Sequence, residues 1–235
     1  MSEQGDKIFC YHENDVRIQF MKPAGLQSRL DKFPAAFFPI GSIEWHNEHL
    51  PLGTDTFHAM ELSLRLCEQT GGIVLPAFWW NTGGCHRSPS TYYMPEVNYR
   101  HILKSVCAGF AEMPIKLLIL VNGHGGDYQK ESMSVIAGEL NALELPFKTI
   151  TADPYYLAQE SPVKIDHADT GETSFSMELI PNLVNMDADI QPDIFSKKKP
   201  FADGPPSKSG GEILWQHYLR DALECIRKEM SRFGY

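Results

Sequence analysis

Short, almost unbroken apolar runs alternate along the chain with longer segments in which apolar residues recur every three or four positions. The runs Ala35–Ile40, Ile73–Phe78, Lys116–Val121 and Phe147–Thr151 predict strands. Between them, helices are predicted at about Thr56–Gln69, Asn98–Glu112 and Tyr128–Leu143, with another beginning near Glu172 and a long one from about Gly211 to Arg232. In the last, Leu214, Tyr218, Ala222, Cys225 and Ile226 fall on one side and are expected to pack into the core. Strand and helix in alternation predict an α/β fold, a mainly parallel sheet with helices on both faces. No repeat or composition break divides the sequence, so one domain over residues 1–235 is expected. Residues 196–211, SKKKPFADGPPSKSGG, read as a loop. Open parallel sheets bind ligands at the carboxyl ends of their strands, so chemistry is expected in the loops that follow them.

Composition narrows the partners rather than the fold. At 235 residues, with 43% hydrophobic and 22% charged, the chain has the material for a substantial core. A net charge of -9 disfavours nucleic acid, whose phosphates call for a basic surface. The run Lys197–Lys199 reads as a solvated loop. Cys10, Cys67, Cys85, Cys107 and Cys225 are scattered, odd in number and without C-x-x-C spacing, a pattern of reduced thiols. The first residues are polar and acidic, unlike a secretory leader, and no apolar run approaches the roughly 20 residues of a membrane span. The expectation is a cytoplasmic protein, with no membrane or nucleic-acid partner, that acts on a small molecule.

Three segments carry candidate chemistry. After the first strand, GSIEWHNEHLPLGTDT offers Glu44 and His46 two residues apart, on one side of an extended backbone, and Asp55 where the next helix begins. Carboxylate, imidazole and carboxylate at a strand end suit zinc, manganese or iron. They equally suit an exposed turn followed by an Asp55 helix cap. Glu48 and His49 are further polar groups in the loop. After the third strand, Asn122-Gly123-His124-Gly125-Gly126-Asp127 places one histidine among glycines, with Asp127 a candidate helix cap. A ligand role for His124 is favoured over packing; an anion nest at the helix start stays open. The third segment, Asp166 to Ser174, has Asp169 and Glu172 at capping-box spacing, while His167 has the chemistry of a proton shuttle. Trp79 and Trp80 could line a pocket or a contact with another subunit. The adjacent Cys85 and His86 read poorly as a nucleophile pair, because neighbours on a loop rarely face each other.

Together the motifs resemble the creatininase (creatinine amidohydrolase) family. PIGSIEWHNEHLPLGTD is similar to its E-x-H-G-P-H-L-P-L-G-T-D signature, Asn122–Gly126 to its N-G-H-G-G segment, and HADTGETS to its H-A-G…E-T-S segment. The matches run in order over about residues 34–180. The resemblance implies a creatininase-like fold and homo-oligomer, and up to two divalent metals per subunit (Zn, Mn or Fe). It puts Glu44, His46, Asp55 and His124 on metal-ligand positions; the two-metal reading built on it has Glu44 and His124 on one ion, His46 on the other with Glu172 supplying the carboxylate absent at Gly126, and Asp55 bridging. It makes His167 and Glu172 active-site residues in hydrolysis of a C–N bond in a cyclic amide or formamide, with His167 passing a proton to the leaving nitrogen. Opening of a cyclic polyol ketone with the same metals is the alternative, and a metal- or sugar-binding protein without catalysis is a third reading. Asn47-Glu48 replaces the family's Gly-Pro, and Gly126 stands where creatininase has a glutamate. Tyr155 and Tyr156 stand in the region where creatininase has pocket tryptophans, so they are expected to bind substrate, and creatinine turnover is expected to be weak.

Overall fold

The computed structural model describes residues 15–83, 88–192, 198–202 and 204–235. Its sheet has four strands in the order β2-β1-β3-β4, where β1 is Ala35–Ile40, β2 Ile73–Val74, β3 Leu117–Asn122 and β4 Lys148–Ala152. Every pairing is parallel. β1 and β3 occupy the middle, and each is buried along its whole length. A strand covered on both faces must be apolar at successive positions, which is why both read as unbroken runs.

Successive side chains point to opposite faces. Ala35, Phe37, Leu117, Ile119 and Val121 pack into one core with helices α2 (Thr54–Thr70), α6 (Thr170–Leu179) and α7 (Lys208–Ser231). Ala36, Phe38, Ile40, Leu118 and Leu120 pack into the other with α3 (Glu96–Ala108) and α4 (Asp127–Asn141), and Leu30 of α1 (Pro23–Lys32) joins them. The short α5 (Pro154–Leu157) follows β4.

Four expectations need correction. The second strand stops at Val74, because Pro76 lacks a ladder donor; an isolated bridge at Phe78 resumes contact with β1. The helix expected over 98–112 is α-helical only to Ala108 and tightens into a 3-10 turn over Gly109–Glu112. The last helix begins at Lys208, inside the expected loop, where the Ser207 hydroxyl accepts the Gly210 N–H as an N-cap. Gly210 and Gly211 are helix rather than loop: a Cβ on Gly211 would overlap the Ser174 carbonyl oxygen, so glycine here permits close packing of α7 on α6. Cys225 is exposed, outside the buried row of Leu214, Tyr218, Ala222 and Ile226.

At the carboxyl end of the sheet, two glycines wedge the start of α2. A Cβ on Gly41, after β1, would overlap the Thr56 backbone, and one on Gly123, after β3, would overlap the Asp55 carbonyl oxygen. Asp55 is thereby seated between the two central strands. Gly123→Ala is expected to destabilise by about 3 kcal/mol, the upper end of ordinary overpacking, since only backbone can yield. Gly138→Ala, in open space within α4, is the control and should be neutral or stabilising. Urea midpoints compare the two; equal midpoints would show that the wedge carries no strain.

Candidate metal centre

The segment after β1 turns sharply at Asn47, whose φ of 63° explains why a glycine would suit that position. The asparagine side chain also fastens the turn: its Nδ2 donates to the Gln191 carbonyl (2.7 Å) and its Oδ1 accepts the Gln191 N–H (3.0 Å). The turn brings Glu44 and His46 under the start of α2. Asp55 lies in the first turn of that helix, but Gly53 occupies the cap position. The Asp55 carboxylate faces inward instead and accepts a hydrogen bond from the Ser42 hydroxyl.

His124 follows β3 in a loop held by Asn122. Its side chain donates to the His124 carbonyl (2.7 Å) and to Asp153 (3.0 Å), and accepts from the His124 N–H (3.1 Å) and Gln129 (3.0 Å). Asp127 is not the cap of α4. Gly126 holds that place, and the Asp127 carboxylate is exposed.

At the start of α6 both readings of the third segment hold together. Asp169 caps the helix, its carboxylate accepting the Thr170 N–H. Glu172 reaches back to the Ala168 N–H (2.6 Å) and also turns into the cluster. His49 supports this end of α6 through Thr173 Oγ1 (2.8 Å), and burial pushes its pKa down to about 4, so it stays neutral.

Glu44, His46, Asp55, His124 and Glu172 are all buried. One oxygen of Asp55 lies 3.0 Å from His46 Nε2 and the other 2.8 Å from His124 Nδ1. His124 Nδ1 is also 3.0 Å from Glu44, and His46 Nε2 is 3.6 Å from Glu172. Two groups result, Glu44–Asp55–His124 and His46–Asp55–Glu172, each with donor atoms close enough for one ion and both containing Asp55. His167, with Nδ1 3.8 Å from Glu44, stands beside them and forms a third candidate group with Glu44 and His46.

The donor chemistry fits a cation. His46 Nδ1 lies 3.0 Å from the Glu44 carbonyl, which can only accept, so that nitrogen carries the proton. The neutral ring then aims its Nε2 lone pair at two carboxylates, an arrangement that needs a positive charge between them, either a proton or a metal. Titration follows the same logic. Burial alone would lower His46 and His124, but the facing carboxylates outweigh it, raising His46 well above its usual value and His124 to about 10. Burial would raise Asp55 and Glu172, but the histidines hold Asp55 well below the carboxylate range and Glu172 at about 2.

Glu44, Asp55, His124 and Glu172 floor a cavity of about 280 Å³ whose rim includes Lys130, Tyr155, Ile165 and Asp166. The Tyr155 hydroxyl lies 3.3 Å from Glu172 and 3.4 Å from the Gly123 carbonyl. Tyr156 is 53% exposed and does not line the cavity, and the same holds for the exposed Glu48. Neither Trp79 nor Trp80 lines it; Trp79 packs on Phe57 and Trp80 on Tyr92. Cys85 and His86 lie outside the described residues. Sequence reasoning passed over Ser42, whose hydroxyl signals nothing until the fold sets it beside Asp55, and Lys130, one lysine among many on helix surfaces.

The creatininase (creatinine amidohydrolase) family model matches residues 20–216, and the chain belongs to that family. It is 27% identical over 187 residues to the 3-dehydro-scyllo-inosose hydrolase of Thermotoga maritima, covering 73% of this chain and 58% of that protein. Thus the match spans little more than half of that relative. The chain is 22% identical over 232 residues to the creatinine amidohydrolase of Pseudomonas putida, covering 81% of this chain and 88% of that one. A solved structure described as creatininase Mn superposes with a TM-score of 0.72 at 20% identity, over 92% of this chain and 98% of the other, which establishes the shared fold. Among the described residues, no helix is long and apolar enough to cross a membrane.

Proposed function

We propose that this chain is a metal-dependent hydrolase that cleaves a C–N bond in a cyclic amide or formamide. The observation that carries this reading is the pair of three-donor groups sharing Asp55 at the strand ends. Glu44 and His124 would hold one divalent ion, His46 and Glu172 the other, and the two oxygens of Asp55 would serve both. Glu172 thereby takes over from the glutamate that Gly126 lacks. Zinc, manganese and iron all accept this mixture of imidazole and carboxylate. Bound there, the ions would supply an acidified water and polarise the scissile carbonyl.

The remaining work belongs to the chain. His167 Nε2 lies 2.8 Å from the Trp45 carbonyl, so that nitrogen carries a proton and Nδ1 is left to exchange one with the cavity. It would protonate the departing nitrogen, since an amine anion leaves poorly. Tyr155 holds Glu172 and closes the cavity wall. The protein is read as cytoplasmic from its scattered cysteines and polar first residues, and as a homo-oligomer from the family resemblance.

A second reading, opening of a cyclic polyol ketone on the same site, draws support from the relative named as a 3-dehydro-scyllo-inosose hydrolase. Creatinine is expected to be turned over weakly, because among the described residues no tryptophan lines the cavity to stack on a flat ring. Metal-loaded protein assayed side by side on creatinine, a formamido-pyrimidine, a neutral cyclic amide and a cyclic polyol ketone tests all three statements. Protein that binds one to two equivalents of metal and opens an amide supports the proposal. Protein that binds none refutes it, and a clear preference for creatinine refutes the pocket reading alone.

Metal uptake should also release protons. Raised pKa values leave His46 and His124 protonated at neutral pH without metal, whereas a ligand imidazole must be neutral. Titration calorimetry in buffers of different ionisation enthalpy is expected to show net proton release at pH 7 and affinity falling as pH falls. Uptake independent of the buffer would show that the histidines are not displaced.

A further inference from the structure

Lys130 lies one turn into α4, with its side chain 15% exposed, and lines the cavity above the acid and histidine floor. Among the described residues it is the one lysine or arginine that does so. Its ammonium stands 5.6 Å from the ring centres of both Tyr155 and Tyr156, within the range of cation–π attraction. Its ion-pair partner, 2.9 Å away, is Asp127, whose side chain is 94% exposed. Such a surface pair is weak, and it engages one of three N–H donors. The other two make no further hydrogen bond or ion pair among the described residues, although the ammonium also lies within electrostatic reach of the buried Asp153 carboxylate. Two aromatic faces therefore hold a poorly hydrated ammonium at the cavity wall, with its own carboxylate easily exchanged.

The cluster does not need this charge. Its three carboxylates and two imidazoles are a donor set for divalent ions, and those ions would neutralise it. Lys130 lines the rim of the same cavity from the end of the first turn of α4, whose positive end also favours an anion. We infer that Lys130 is a specificity-determining residue that binds a carboxylate on the substrate, set apart from the bond that is cleaved. The inference deepens the hydrolase reading and rests on it: the substrate is a carboxylated cyclic amide rather than a neutral one.

The test compares succinate with butyrate, which has the same chain length and one carboxylate fewer, as ligands of the metal-loaded protein. One carboxylate of each can reach the metal floor; only succinate has a second for Lys130. Wild type is expected to bind succinate on the order of tenfold more tightly, as one charge-assisted hydrogen bond would give. Lys130→Gln should bring the two affinities together while keeping its full metal content, and Lys130→Arg should restore the preference. Equal affinities in wild type, or an undiminished preference in Lys130→Gln, would overturn the assignment. Metal content is measured on the same samples, so loss of the hydrolase reading (no metal bound) is distinguished from loss of the Lys130 assignment (metal bound, no preference).

Discussion

Asp55→Ala is expected to lose nearly all bound divalent metal and, with it, detectable hydrolysis. No other side chain in the cluster belongs to both three-donor groups, so no other single change should empty both positions. Its effect on the metal-free protein should also be large. Without metal, His46 and His124 hold their protons because Asp55 faces them at 3.0 and 2.8 Å. Removing one partner of a buried ion pair leaves the other uncompensated, at a cost of roughly 3–5 kcal/mol. The two histidines should then shed their protons, and the stability lost should depend on pH. Raised histidines contribute stability fully below their unfolded value near 6.5, and this contribution fades as pH rises through about 10, the folded value for His124. Wild-type and Asp55→Ala apoproteins should therefore differ most in urea midpoint at neutral to mildly acid pH and converge in strong alkali. Elemental analysis showing wild-type metal in the variant would remove Asp55 from its proposed role.

His167→Ala is expected to keep its metal and lose turnover by a factor on the order of 10² to 10⁴, the usual worth of a positioned acid or base. His167 is less buried than the cluster, 3.8 Å from Glu44, with its ring centre 4.6 Å from that of His46 and tilted 45° to it, a place suited to meeting substrate. Glu172→Ala should differ in kind, losing part of the metal as well as the tie between Ala168 and α6. The contrast separates proton transfer from ligation within six residues of chain. Full metal and full activity in both variants would reduce the segment to the start of a helix.

What could be read of the sheet in advance followed from burial. β1 and β3 were legible because both faces are covered and their positions are apolar up to Asn122 at the end of β3. The ligand candidates stood out through three motifs in family order, not through spacing, which suited an exposed turn and a helix cap equally well. Pro76 cut the second strand short, since an apolar run does not reveal which of its amides find partners. Gly210 and Gly211 look like loop residues until α6 is seen pressed against them. Tyr155 and Tyr156 are indistinguishable as letters. The short helix α5 turns one into the cavity wall and the other outward, a rotation that a four-residue element does not announce. Lys130 gave no signal, because its meaning comes from two tyrosines and an exposed aspartate gathered by the fold.

The wedging of α2 between Gly41 and Gly123 bears on how such an enzyme could change over time. The donor at the centre is fixed by backbone atoms with no clearance, so substitutions around it are penalised by folding itself, before any loss of chemistry. The rim residues Lys130 and Ile165 are not among the atoms that press on Gly41 and Gly123, so their side chains can be exchanged without disturbing that backbone. Reactivity and selectivity are thus inherited through different parts of the chain. A lineage built this way can drift among ring-shaped substrates by altering its rim while its hydrolytic centre stays constant.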